Sequence, residues 1–177
     1  MGWVKEIEVT LKVRKLRVGG GTGENVDLDT IPIKYTASSL RGLLRKSAIK
    51  VLKSLKPNLN AKDGNIFGKG NKEGKIQIVF EGVNGATKNY RYGIKIDSNT
   101  SSVMSGHLFS YTFYELEEVK FSIKPTIKLT KDEAKLLYYA INYLRFDSVG
   151  GFGSRGLGLI EDVEIDEEFR SFVEGGS

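Results

Sequence analysis

The stretch TKDEAKLLYYAINYLRFDSVGGFGSRGLGLIEDVEI, residues 130–165, carries a helix signal, a glycine run and a strand signal in that order. Thr130 opens T-x-x-E, a capping box in which Glu133 reaches back to the Thr130 amide. The helix that follows turns Ala134, Leu137, Ala140, Ile141 and Leu144 to one side. In the glycine run, Gly151, Gly153 and Gly156 satisfy G-x-G-x-x-G letter for letter. A dinucleotide fingerprint, however, follows a strand and opens a helix, so that the helix N-terminus faces the pyrophosphate. Here the helix comes first and the strand, LGLIEDVEI (157–165), comes after and closes the chain. No Gly-Lys-Ser/Thr ends the run, so it is not a Walker A loop either. What remains is a helix-to-strand connection lined with bare backbone, with Arg155 as a phosphate contact and Ser154 as a donor. A tight turn with a capping glycine accounts for one or two of the five glycines in 150–158; the surplus favours close approach of a ligand backbone.

Upstream, residues 4–18 alternate, with Ile7, Val9, Leu11 and Val13 on one face, as in a half-buried strand. Residues 19–29 then read as a flexible acidic loop. From Ser38 the period changes. Leu40, Leu43, Leu44, Ala48, Val51, Leu52 and Leu55 form a helical stripe, with Ser38 or Ser39 as cap and Arg41, Arg45, Lys46, Lys50 and Lys53 largely off it. Residues 56–74 read as a loop and 75–83 as a strand. A short strand at 90–96 and a polar excursion at 98–106 precede strand-like residues 107–129, bent or interrupted near Glu117 and Pro125. The order is β-α-β, an insertion, then β-α-β. That predicts one α+β domain over 1–177, ferredoxin-like (RRM-like), with an antiparallel sheet, both helices on one face and an insertion at about 84–107.

The chain has no cysteine, which excludes disulfides and thiolate metal sites. No apolar run reaches the roughly 18 residues of a membrane span, and the first residues lack a signal peptide's apolar stretch, so a cytoplasmic protein without a membrane partner is expected. The net charge of +5 hides a division: residues 161–177 carry −6 and residues 1–160 therefore +11. A basic domain of that kind attracts polyanions by counterion release. A Lys/Glu-rich surface of the thermophile type is the other reading of the same charge.

GGFGSRGLGLIEDVEI resembles the C-terminal glycine-rich signature of the RAMP superfamily of CRISPR-associated proteins. IPIKYTASSLRGLLR (31–45) resembles the family's strand-turn-helix segment, commonly Pro-Gly-Ser-Ser-Leu-Lys/Arg-Gly, with Thr36-Ala37 in place of Pro-Gly. IFG (66–68) before a strand and GIKID (93–97) before an excursion also fall in family order. The pattern is closest to the backbone subunits of type III effector complexes, which polymerise along a guide RNA. The resemblance implies guide (crRNA) and target RNA as partners, together with other effector subunits, copies of this chain among them. It implies phosphate binding by Ser38, Ser39 and Arg41, with Arg45 one turn on, and by the glycine loop: Gly151, Gly153, Ser154, Arg155 and Gly156. A helix N-terminus with hydroxyls and a guanidinium grips phosphate without reading bases.

In type III backbone subunits an aspartate in the acidic loop after the first strand supports metal-dependent cleavage of target RNA. Glu24, Asp27 and Asp29 lie in that loop, and alignment of LDTIPIKY points to Asp29, with Asp27 next, as holder of Mg2+ or Mn2+. A capping or turn role for Asp29 is the alternative. His107, the only histidine, would serve as general acid or base in a metal-independent, repeat-processing endoribonuclease of the same superfamily, although its placement does not match that use. A purely structural subunit is the remaining alternative. Tyr90, Tyr92, Phe109, Tyr111 and Phe113 alternate along strands; stacking on splayed bases and packing within a sheet explain them equally well.

Overall fold

The computed structural model describes residues 4–20, 26–54, 58–96, 99–100, 103–151 and 156–175, with backbone only for 94–96 and 103–107. In chain order the elements are β1 (Ile7–Lys12), β2 (Lys15–Leu16), α1 (Thr36–Ser54), α2 (Asp63–Phe67), β3 (Ile76–Asn84), β4 (Thr87–Ile96), β5 (Val103–Glu115), β6 (Glu118–Pro125), α3 (Lys131–Tyr143), β7 (Asp162–Ile165) and α4 (Glu167–Glu174). Strands β3-β6-β1-β7 form an antiparallel sheet in that order. The two outer β-α-β units interlock, which is the predicted ferredoxin-like arrangement. Ile7, Val9 and Leu11 pair with Ile123, Phe121 and Val119, and all six are buried with the apolar stripes of α1 and α3. The two helices touch directly, where the Ser47 hydroxyl donates to the Ala140 carbonyl at 2.7 Å.

The inserted segment is a long β4–β5 hairpin, which pairs with β2 to make a second, three-stranded sheet. The single strand expected over 4–18 is therefore two: β1 belongs to the first sheet and β2 to the second. The alternation slips at the break: Val13 and Leu16 are both buried but stand three residues apart, with Arg14 and Lys15 between them, and at that slip the chain changes sheet. The interruption expected near Glu117 and Pro125 is present, since β5 ends at Glu115 and β6 spans Glu118–Pro125.

Three local expectations differ. The first helix starts at Thr36, after a 3-10 turn at Ile33–Tyr35, so Ser38 and Ser39 lie in its first turn instead of capping it. The chain does not close on a strand: Asp166 caps α4, accepting from the Phe169 amide, and the helix buries Phe169 and Val173. Phe169, Phe172 and Val173 sit at helical spacing within the acidic tail, where charge obscures them. A short helix, α2, interrupts the 56–74 loop.

The capping box at Thr130 is formed in both directions, and Glu133 has a second use. Its side chain, with the residue only 3% exposed, accepts from the Lys75 ammonium on both oxygens at 2.9 Å. Glu133→Ala removes the side-chain half of the capping box and strands a largely buried ammonium, so a loss of about 3 kcal/mol is expected. Thermal melting should show a midpoint lowered by roughly 6–12 °C. Adding Lys75→Met to that variant should recover part of the loss; a double variant no more stable than the single one would contradict the pairing.

Candidate nucleic-acid interface

Residues 15–18 act as a spine on which the implicated segments converge. On one side the Gly151 amide donates to the Arg17 carbonyl at 2.7 Å and the Gly158 amide to the Lys15 carbonyl at 2.5 Å. On the other, the Ile31 amide donates to the Val18 carbonyl and the Val18 amide to the Thr30 hydroxyl, both at 3.0 Å. The glycine loop and the chain leading into α1 are thus fastened to the same short piece of backbone.

The glycines divide by role. Gly150 and Gly158 have positive φ, and a Cβ on either would meet backbone, at 2.2 Å from the Arg17 oxygen and 1.8 Å from the Val149 oxygen. Leu157 is buried against Tyr111 and Phe113 on one face of the hairpin. These ends of the loop are a joint between the two sheets. Gly151 directs its amide into the joint, whereas Gly156, also at positive φ, faces open space. Gly153, Ser154 and Arg155 lie outside the described residues.

At the start of α1, Ser38 and Ser39 are exposed, and no acidic residue stands in the first turn of this 19-residue helix. The positive end of its dipole is uncompensated there, with Lys34 exposed just upstream. Arg41 and Arg45 serve a second cleft. Arg41 donates to the carbonyls of Phe67 and Ile76 at 2.9 and 2.8 Å, and Arg45 pairs with Asp63 at 3.2 Å. That cleft, of about 520 Å³, is closed by the turn at 68–74, which brings Lys69 and Lys72 opposite the two arginines. Sequence reasoning passed over these lysines as loop residues; the alternation of Gly68, Lys69 and Gly70, with both glycines at positive φ, is the signal for a tight basic turn.

Asp27 and Asp29 are docked, not in free loop. Residues 27–30 run beside β5, the Leu28 amide donating to the Ser110 carbonyl and the Thr112 amide to the Leu28 carbonyl, each at 3.0 Å. Leu28 packs into the hairpin's apolar cluster. Its neighbours bond to side chains on the other face: Asp27 Oδ2 accepts from the Ser110 amide and hydroxyl, and Asp29 Oδ1 from the Thr112 hydroxyl and from Lys88 Nζ at 2.8 Å. Thr112 in turn accepts from the Thr30 amide, which fixes its hydroxyl toward Asp29. The Lys88 hydrogen bond foremost, then that of Thr112, holds the Asp29 carboxyl below the usual aspartate range. Glu24 lies outside the described residues, as does the side chain of His107.

A divalent ion would find a small donor set. Among the described residues no group of three or more His, Cys, Asp or Glu side chains converges. Two carboxylates on one face nevertheless match the one or two by which Mg2+ is held when substrate phosphate and water complete its shell. Asp29 already has a cation, Lys88, in contact.

No helix among the described residues is long and apolar enough to cross a membrane. Comparison with curated proteins finds no match. The family model of the RAMP superfamily matches residues 14–161, from the bend before β2 to the residue before β7, taking in the spine, the start of α1, the hairpin and the glycine loop. A match over most of the chain, on the fold and landmarks described above, makes this chain a member of the RAMP superfamily of CRISPR-associated, RNA-binding proteins.

Proposed function

We propose that the protein is a guide-binding subunit of a type III CRISPR effector complex, and that copies of it assemble along the crRNA beside other effector subunits. The observation that carries this reading is the shared spine. Residues 15–18 tie the glycine loop and the approach to α1 into one surface, within the part of the chain, residues 1–160, that carries +11. A nucleic-acid backbone lying there would meet the exposed Ser38 and Ser39 hydroxyls, the positive end of α1 and Gly156, the residue that follows Arg155 in the sequence. Contacts of this kind hold phosphates and leave bases free to pair with a target.

Target RNA cleavage is the second step of the proposal, favoured by the fixed placement of Asp29 between Thr112 and Lys88. Asp29, with Asp27 beside it, would hold Mg2+ or Mn2+, which supplies a Lewis acid at the scissile phosphate and eases deprotonation of the attacking hydroxyl.

The guide-binding reading is tested by RNA affinity measured over a range of salt. Binding should be indifferent to sequence and fall steeply with salt. Arg155→Glu and Lys34→Glu should each weaken it uniformly, on the order of tenfold, and reduce the salt slope by about one. Arg41 is a poor choice for reversal because its guanidinium holds two carbonyls of the fold. Unchanged affinity and slope in the Arg155→Glu, Lys34→Glu pair would sink the proposal. Counting copies of the chain in the native assembly, with sequencing of its RNA, tests the polymer.

A further inference from the structure

RRM-like domains that bind single strands do so by stacking bases on aromatic side chains of the four-stranded sheet. Here that sheet is not equipped for it. Its helix-free face presents Glu8, Lys12, Glu118, Lys120, Lys124 and Glu164 among other polar residues, and the outward positions of its four strands carry no aromatic side chain. The charges are cross-linked, Lys12 to Glu118 and Glu164, and Lys120 to Glu118.

Exposed aromatics lie instead on the second sheet. Tyr90 and Tyr92 are 63% and 66% exposed in the middle of β4, the edge strand of that sheet. Their cross-strand partners are Thr112 and Ser110, the two residues whose hydroxyls bond Asp29 and Asp27. Both tyrosines therefore share a face with both carboxylates and with Lys88, while Tyr111 and Phe113 fill the buried face behind. Leu108, 63% exposed and two residues from Ser110 on β5, extends the apolar strip on that face.

We infer that Tyr90 and Tyr92 form a stacking platform for an unpaired nucleobase of bound RNA, displaced from the main sheet to the hairpin and set beside Asp27 and Asp29. The inference rests on the RNA-binding reading above and deepens it. The spacing suits a base. Residues two apart on a strand are separated by about 6.8 Å, which is twice the roughly 3.4 Å between stacked bases. The two rings stand edge-to-face, with centroids 6.0 Å apart and planes at 87°. Turning one ring parallel to the other opens a slot one base thick. Lys88, exposed on the same face, supplies a cation for the phosphate of that nucleotide.

The experiment compares single-stranded RNA with the same strand carrying abasic sites, using the parent, a Tyr90→Ala/Tyr92→Ala pair and a Tyr90→Phe/Tyr92→Phe pair. The alanine pair should bind the intact strand about 5- to 150-fold more weakly, the loss of one stacked base. The phenylalanine pair should stay within about twofold of the parent, since stacking needs the ring and not the hydroxyl. The alanine pair should bind the abasic strand as the parent does, with the parent's salt slope, and melt at the parent's temperature. Equal binding of the intact strand by the alanine pair and the parent overturns the platform while leaving salt-sensitive guide binding in place. A parent that shows no salt-sensitive RNA binding overturns the guide-binding reading itself. If the alanine pair keeps its RNA affinity and instead loses association between copies, the face is a protein contact and the platform is wrong.

Discussion

Gly158→Ala is expected to destabilise the protein by at least about 4 kcal/mol, and to lower its melting midpoint by roughly 10 °C or more. Two independent costs combine. The residue has φ +72°, a region that costs an L side chain about 1–2 kcal/mol. The added Cβ would also sit 1.8 Å from the Val149 oxygen and 2.9 Å from its carbon, atoms of backbone that cannot swing aside. Relief requires lengthening the bonds of the joint, Val149 amide to Gly158 carbonyl at 2.8 Å and Gly158 amide to Lys15 carbonyl at 2.5 Å. Gly150→Ala should behave in the same way, with φ +80° and the Arg17 oxygen 2.2 Å from the new Cβ. Gly156→Ala is the control: φ is +79° but no atom lies within 4 Å, so only the conformational cost of about 1–2 kcal/mol applies. Urea or thermal unfolding of the three variants reads the order directly. Equal losses at all three positions would mean that the loop is not packed against the spine.

That ranking marks where sequence reasoning stopped. A glycine records that a Cβ is missing and says nothing of what fills the space. Five glycines in nine residues read as clearance for a ligand, yet Gly150 and Gly158 clear the protein's own backbone. The order of elements was legible because periodicity and the capping box at Thr130 are local signals. The division of residues 4–18 between two sheets was missed, and its only local trace is the slip in alternation at Arg14-Lys15, where two polar residues in a row separate buried Val13 from buried Leu16. The fate of Arg41 was not legible, because its carbonyl partners at Phe67 and Ile76 belong to distant segments. The aromatic stretch behaved similarly. Alternation showed that Tyr90 and Tyr92 share one face and Arg91 takes the other. Only the packing of Leu28 and Leu157 under β5 shows which face is covered.

Asp29 illustrates both sides, and the largest functional effect should follow from it. Resemblance singled it out as a candidate; its partners were not legible, because Lys88 and Thr112 come from the two strands of the hairpin. If Asp29 holds the metal for target cleavage, Asp29→Ala should lower the rate on guide-paired RNA by about 1,000-fold or more, corresponding to several kcal/mol of transition-state stabilisation. Guide affinity should be unchanged, since the contacts proposed for the guide phosphates do not include the Asp29 carboxylate. Lys88 competes with the ion for the same carboxylate, so Lys88→Met should lower the Mg2+ concentration needed for half-maximal cleavage. The pH dependence has a definite sign. The carboxyl is held below the usual aspartate range, first by Lys88, so the ionised form and its ion pair persist to lower pH than an ordinary aspartate allows. The stabilisation is present above the unfolded pKa and is lost only as pH falls through the lower folded value. Lys88→Met removes the main cause and should move the Asp29 titration, followed by carboxyl carbon chemical shift, back toward the ordinary value. Cleavage that survives Asp29→Ala at the parental rate would remove Asp29 from the chemistry. The titration in the Lys88→Met variant would then still decide whether the ion pair is formed.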